Sequence, residues 1–194
     1  MKILYLDTET TGTDPLRNDI IDLAVIIEID GEVKHEESIK MQPFDYSTVE
    51  QGALDINGIT IEELKTFQEP VEAYRKVLDL FGMHVDKFTK ASRFYPAGYN
   101  CQFDINFLAS FFRKADPNNK YGIGSWIQWC PFDMMQQLRN EIFIRGGKSP
   151  YENFKLKTVA EKHGLSFRAH DALEDIRVTR ELIKRFIRHN QTGV

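Results

Sequence analysis

Leu4-Tyr5-Leu6-Asp7-Thr8-Glu9-Thr10-Thr11-Gly12 is an apolar strand that runs straight into two carboxylates. In a strand, side chains at i and i+2 share a face, so Asp7 and Glu9 stand side by side with like charges. That arrangement is unfavourable unless a proton or a cation neutralises it. Thr10-Thr11-Gly12 then breaks the strand, and Gly12 lets the backbone approach a ligand closely. The stretch reads as half of a metal site at a strand end. The plain alternative is a polar turn after an edge strand.

The strand over 2–7 is apolar on both faces and is therefore expected to be central in its sheet. Residues 19–29 form a long Ile/Val-rich strand, and Asp30-Gly31 is a strong two-residue hairpin signal. Residues 32–40 return antiparallel, with the charge density of an edge strand. Thr60, with Glu63 three residues on, starts a short helix. Pro70 opens a longer helix to about residue 88, with Val71, Tyr74, Leu78 and Phe81 at helical spacing. A strand over 94–99 follows, then a helix over 103–114 with Phe103, Phe107, Leu108 and Phe111 on one face. A short strand over 126–131 precedes a helix over 133–145, which Gly146-Gly147 stops. A short helix spans 157–163, and the last helix runs from Asp171 to about residue 189. Three meander strands, then strands separated by helices, imply an α/β domain with a mixed five-stranded sheet flanked by helices.

Composition narrows the class. The chain has 194 residues, 42% of them apolar and 14 of them Phe, which suits one domain (1–194) with a sizeable core. The apolar run before Asp7 is too short for a signal peptide or a membrane span, so a soluble, cytoplasmic protein with no membrane partner is expected. The two cysteines, Cys101 and Cys130, have no metal-binding spacing and are expected to be free thiols. A net charge of −4 argues against long, non-specific duplex binding, but it is compatible with a phosphate substrate whose charge is met by cations.

Two later segments offer further ligands. Asp104 falls in the first turn of a helix and shares a face with Leu108 and Phe111, so it points inward and needs a partner or a cation. Helix capping is the simpler account of it taken alone. In His170-Asp171-Ala172-Leu173-Glu174-Asp175, Asp171 and Glu174 have the spacing of a helix start. Asp175 then falls near the end of the first turn. His170 precedes the helix and can exchange a proton near neutral pH, although a lone histidine there is more often structural. Arg177, Arg180, Lys184 and Arg188 share one face of that helix. They read first as a solvated face paired in part with Glu181, and second as a phosphate track.

Together the segments Asp7-Thr8-Glu9-Thr10-Thr11-Gly12, Asn100-Cys101-Gln102-Phe103-Asp104 and His170-Asp171-Ala172-Leu173-Glu174-Asp175 resemble the DEDD superfamily of 3′→5′ exonucleases. The histidine puts the resemblance in the DEDDh branch, with the proofreading subunit of bacterial DNA polymerase III, ribonuclease T and oligoribonuclease. Asn57-Gly58-Ile59-Thr60 resembles a weaker family loop. The match runs from Lys2 to about Arg188, and the fold it implies is ribonuclease-H-like.

The resemblance implies a metal-dependent exonuclease that removes nucleoside 5′-monophosphates from the 3′ end of nucleic acid. Single-stranded DNA is the first choice of substrate, RNA 3′-end trimming or oligoribonuclease activity the alternative. A non-catalytic nucleic-acid-binding or polymerase-partner module is a further reading, and a DNA polymerase is an implied partner. Asp7, Glu9, Asp104 and Asp175 would hold two divalent cations, Mg²⁺ or Mn²⁺. Asp7 would bridge them, Glu9 and Asp175 would complete one site, and Asp104 would act mostly through water. His170 would be the general base. Thr8, Thr10, Thr11, Gly12, Asn57, Asn100 and Phe103 would line the terminal nucleotide, with Phe103 stacking on a base or simply packing in the core. Many relatives carry His where Tyr99 and Asn57 stand here, and residues 116–151 match nothing assignable.

Overall fold

The computed structural model describes residues 1–167 and 171–192. Its centre is a five-stranded sheet in the order β3-β2-β1-β4-β5, formed by β1 (Lys2–Thr10), β2 (Ile20–Ile29), β3 (Glu32–Lys40), β4 (Tyr95–Gly98) and β5 (Phe132–Asp133). The first three strands are antiparallel neighbours, and β4 and β5 add parallel to the other side of β1. This is the mixed sheet, with a central first strand, that the sequence implies. Asp30 and Gly31 turn the β2–β3 hairpin with φ of 52° and 88°, the left-handed pair that a two-residue hairpin requires.

Seven helices among the described residues cover the two faces: α1 (Gln51–Asn57), α2 (Ile61–Leu64), α3 (Pro70–Gly82), α4 (Gln102–Ala115), α5 (Met134–Ile144), α6 (Leu156–Lys162) and α7 (Ala172–Thr192). Strand alternation sorts the core into two halves. Leu4 and Leu6 of β1 and Leu23, Val25 and Ile27 of β2 face α3 and α4, where Tyr74, Phe81, Phe107, Phe111 and Phe112 fill the interior. Tyr5, Ala24 and Ile26 face the other way, against Leu138 of α5, Val159 of α6 and Ile176 and Ile183 of α7. No helix among the described residues is long and apolar enough to cross a membrane.

Three expectations shift. The helix from Pro70 ends at Gly82, and its buried face is Ala73, Tyr74, Val77, Leu80 and Phe81, with Val71 exposed. Val85 still packs in the core after the helix ends, but Phe88 lies in solvent. The strand expected at 126–131 is instead Phe132–Asp133. Trp126 and Ile127 go into the core, tied to Phe94 by backbone hydrogen bonds of 2.9 Å on either side.

The basic face of α7 is solvated only in part: Arg177 and Arg188 are exposed, while Arg180 and Lys184 are half-buried in ion pairs with the sheet. Arg180 donates through Nε to Glu28 at 2.8 Å, and Lys184 reaches the same buried carboxylate at 3.2 Å. Arg177 pairs with Glu36, while Glu181 pairs with Arg185. These cations clamp α7 to β2 and β3, which fixes the helix that carries Asp175.

Candidate active site

β1 is longer than the sheet on its β4 side. Its pairing with β4 covers Ile3, Leu4 and Tyr5, whereas its pairing with β2 continues to Thr10. The C-terminal half of β1, which holds Asp7 and Glu9, therefore lies beside an opening where β4 has already ended. In mixed sheets such an opening at strand C-termini is where ligands bind. A register shift between Glu9 and Thr10 ends the regular ladder, and irregularities of this kind re-aim side chains next to sites.

Helices on opposite faces bring in the remaining acids. α7 places Asp175 so that one carboxylate oxygen from each of Asp7, Glu9 and Asp175 lies within 4.8 Å of the others. Asp171 caps this helix by accepting from the N–H groups of Leu173 and Glu174 at 3.2 and 3.1 Å, as the sequence pattern implied. α4 packs on the other face, and its buried Asp104 comes to β1 from there. Asp104 Oδ1 accepts from the Thr8 N–H at 2.9 Å and from the Thr8 hydroxyl at 2.7 Å. His170 lies outside the described residues.

The acids crowd one another. Burial and the nearby carboxylates of Asp104, Asp175, Glu9 and Asp22 push Asp7 well above the usual carboxylate range. Glu9 is pushed up to about 8, by burial first and then by Asp175 and Asp22. Burial raises Asp104 to about 7 against the two Thr8 hydrogen bonds, which favour its charged form. A group of carboxylates that resists ionisation this strongly is a receptor for positive charge. The donors are all carboxylate oxygen, the hard ligand type that Mg²⁺ and Mn²⁺ prefer, so the residues fit a divalent cation site.

The turn after β1 is built tightly. Thr11 exchanges hydrogen bonds with Asp19: its N–H donates to the Asp19 carbonyl, and its hydroxyl accepts from the Asp19 N–H, both at 2.9 Å. The Thr10 hydroxyl donates to the Gly12 carbonyl at 2.6 Å. A Cβ on Gly12 would lie 2.4 Å from the Asn18 side chain, so the glycine is required by that packing. Asn57, the last residue of α1, donates to the Thr10 carbonyl at 3.0 Å. Asn100 is exposed at φ 57°, just before α4, with its N–H on Asp133 Oδ1 at 3.1 Å. Phe103 is half-buried, its ring 4.8 Å from that of Phe107.

Two features escaped the sequence reading. Thr8 spends its side chain on Asp104. Asp22, 7% exposed on β2, stands directly opposite Glu9 in the ladder. The available signal for Asp22 was an acid among Ile20, Ile21, Leu23, Ala24, Val25, Ile26 and Ile27, in a strand whose one other charge is Glu28.

The Exonuclease family model matches residues 4–183. Relatives include the PolC-type DNA polymerases III of Thermotoga petrophila, 25% identical over 185 residues, and Thermotoga maritima, 28% identical over 187 residues. Each alignment covers 95% of this chain and 12% of the relative. Among solved structures, E. coli exonuclease I in complex with a dT13 oligonucleotide superposes with a TM-score of 0.75 at 23% identity, over 95% of this chain and 40% of that one. Exonuclease I from Methylocaldum szegediense gives 0.75 at 22% identity, over 99% and 41%. The chain thus spans about an eighth of the length of those polymerases and two-fifths of exonuclease I. A family match along nearly the whole chain, on the fold those nucleases share, decides the attribution: the chain belongs to the Exonuclease family, as a DEDDh-type 3′→5′ exonuclease domain of ribonuclease-H-like fold.

Proposed function

We propose that this chain hydrolyses phosphodiester bonds one nucleotide at a time from the 3′ end of single-stranded DNA. The observation that carries the reading is the convergence of Asp7, Glu9 and Asp175 within 4.8 Å beside the open end of β1. The fold likeness to exonuclease I, solved with a dT13 oligonucleotide, favours DNA over RNA.

Two divalent cations, Mg²⁺ or Mn²⁺, held by Asp7, Glu9, Asp104 and Asp175, would activate water and neutralise charge on the phosphate and the leaving 3′ oxygen. Asp7 lies with Glu9 and Asp175 and also feels the charge of Asp104, so it is the carboxylate that would be shared if two ions were held here. Asp104 Oδ1 is engaged by Thr8, which suits a carboxylate acting through intervening water. Thr8 therefore serves Asp104, and the terminal nucleotide is left to Thr10, Thr11, Gly12, Asn57, Asn100 and Phe103. Asn57 donates to the Thr10 carbonyl and Asn18 to the Thr11 carbonyl, which ties down the turn proposed to meet the nucleotide. His170 takes the proton of the attacking water, the task for which its ordinary pKa suits it.

Association with a polymerase is part of the same proposal, on the ground that the Thermotoga relatives are PolC-type DNA polymerases III. The decisive experiment digests 3′-labelled and 5′-labelled oligonucleotides, DNA and RNA in parallel, with and without chelator. Loss of the 3′ label first, on DNA and only with metal, is the expected result. Faster digestion of RNA would replace the substrate class, and cleavage of circular single strands would overturn the exonuclease reading.

A further inference from the structure

Asp22 is a carboxylate that the catalytic set does not use. Its Cα is the direct partner of Glu9 in the antiparallel β1–β2 ladder, so the two side chains share a face about 5 Å apart at their roots. Like charges placed this way oppose each other and destabilise the sheet. Asp22 is also 7% exposed, in a strand whose neighbours Ile20, Ile21, Leu23 and Ala24 are buried. Its described hydrogen-bond partner is the Ser38 hydroxyl, which donates to Oδ1 at 2.6 Å. Lys40 lies opposite Asp22 in the next ladder, with its ammonium over the Phe67 ring, 5.4 Å from the centroid. Burial, and secondarily Asp171, make Asp22 harder to ionise, while the Ser38 hydroxyl and the Lys40 charge favour its carboxylate. A buried acid is thus held next to a second acid, with a hydroxyl and one lysine to support its charge.

We propose that Asp22 is a positioning residue: without contacting a cation, its negative charge behind Glu9 deepens the attraction of the Asp7–Glu9–Asp175 cluster for divalent cations. This rests on the metal-dependent reading above. A neutral residue would fill the same place in β2 at lower energetic cost, so a role for the charge explains why an acid stands there. Paired directly with Glu9 in the ladder, the Asp22 carboxylate stands close enough to act through space on an ion that Glu9 holds, and a negative charge there attracts a dication. Ser38 keeps the carboxylate in place by binding Oδ1, the atom an asparagine amide oxygen can replace.

The test is Asp22→Asn, which retains an acceptor for Ser38 and removes only the charge. Mn²⁺ affinity is titrated by electron paramagnetic resonance, Tm is measured in chelator and in saturating Mn²⁺, and kcat is measured at saturating metal on a labelled single strand. The expected result is Mn²⁺ binding weakened roughly tenfold, the scale set by one nearby charge in a partly solvated site. Tm in chelator is unchanged or higher, and kcat at saturating Mn²⁺ is kept within a small factor. Unchanged Mn²⁺ affinity overturns the proposal, whether or not Tm falls. Loss of kcat at saturating metal also overturns it, because Asp22 would then belong to the chemistry itself. Asp22→Ser provides the same readings if the asparagine variant fails to fold. If the unaltered protein binds no Mn²⁺, the metal-dependent reading fails along with this one. If it binds Mn²⁺ and the variants bind equally well, this inference alone fails.

Discussion

Asp104, on α4, takes both the backbone N–H and the hydroxyl of Thr8, on β1, through one oxygen at 2.9 and 2.7 Å. The residues are 96 positions apart in the chain. The backbone bond uses the part of β1 that β4 has left unpaired, so the helix acid completes the strand edge and is itself fixed in place. Thr8→Val keeps the strand shape and removes only the hydroxyl. We expect a loss of about 1.5–3 kcal/mol in urea or thermal unfolding at a pH where Asp104 is ionised, the scale for a hydrogen bond to a charged acceptor. Removing a donor that favours the carboxylate moves the Asp104 pKa upward from about 7. Carboxyl-carbon NMR titration of metal-free protein reads that shift, and an unmoved Asp104 would show that Thr8 does not set its charge.

Asp7→Asn and Asp175→Asn separate repulsion from function. Each removes one ionisable carboxylate from the crowded cluster, so at a pH high enough to ionise the cluster the metal-free variant is expected to melt at or above the unaltered temperature. Turnover should fall by about 10²–10³-fold or more, the scale of losing a principal electrostatic group. Thermal melting with and without Mn²⁺, beside a strand-digestion assay, checks both halves. A variant that melts lower in chelator and still responds to Mn²⁺ would refute the placement of these acids at the cation site.

Much of this site was legible in the sequence. The Asp7–Glu9 pair follows from strand period alone, and the Asp171 cap from its spacing to Glu174. The Asp30-Gly31 hairpin follows from the two left-handed conformations it demands. What escaped were relationships that exist only between distant elements. Thr8 is separated from Asp104 by three α-helices and three strands, and nothing local marks the pair. The bases of α7 look like a solvent face until β2 supplies the buried Glu28. The strand expected at 126–131 failed because apolar Trp126 and Ile127 suit a core plug as well as a ladder, and periodicity cannot separate the two.

The Glu28 clamp gives a prediction with no active-site residue in it. Glu28 is 5% exposed and serves both Arg180 and Lys184. Glu28→Gln leaves two part-buried cations sharing a neutral acceptor, and breaking a buried pair in this way costs about 3 kcal/mol or more. Urea unfolding should show that loss. Because the clamp seats α7, Mn²⁺ affinity should weaken as well, through Asp175. A stability change below about 0.5 kcal/mol, the usual range of surface substitutions, would mean that packing of Ile176 and Ile183 alone seats the helix.

For His170 the expectation is a rate effect without a binding effect. His170→Ala should lower kcat by about 10²–10⁴-fold, the range for a general base, while Mn²⁺ binding and Tm stay as in the unaltered protein. Full activity near neutral pH would remove His170 from that role.

The acids also fix how stability depends on pH, and the sign reverses with metal. In metal-free protein Glu9 and Asp104 are raised from ordinary values of 4.5 and 3.8 to about 8 and about 7. The folded state then holds protons that the unfolded chain has released, so stability falls as pH rises. Their favourable contribution is complete below the unfolded values, near pH 4, and is lost progressively up to about pH 8. Metal-free Tm should therefore decline across that window. Divalent cations bind the ionised carboxylates, so their stabilisation should grow over the same window as protons leave. At a hundred times its Kd a cation adds about 2.7 kcal/mol. Melting curves at pH 5, 6, 7 and 8, in chelator and in saturating Mn²⁺, should diverge as pH rises. Parallel curves would mean that protons and cations do not compete for these carboxylates, and the cluster would then have to be held apart by contacts other than a shared ion.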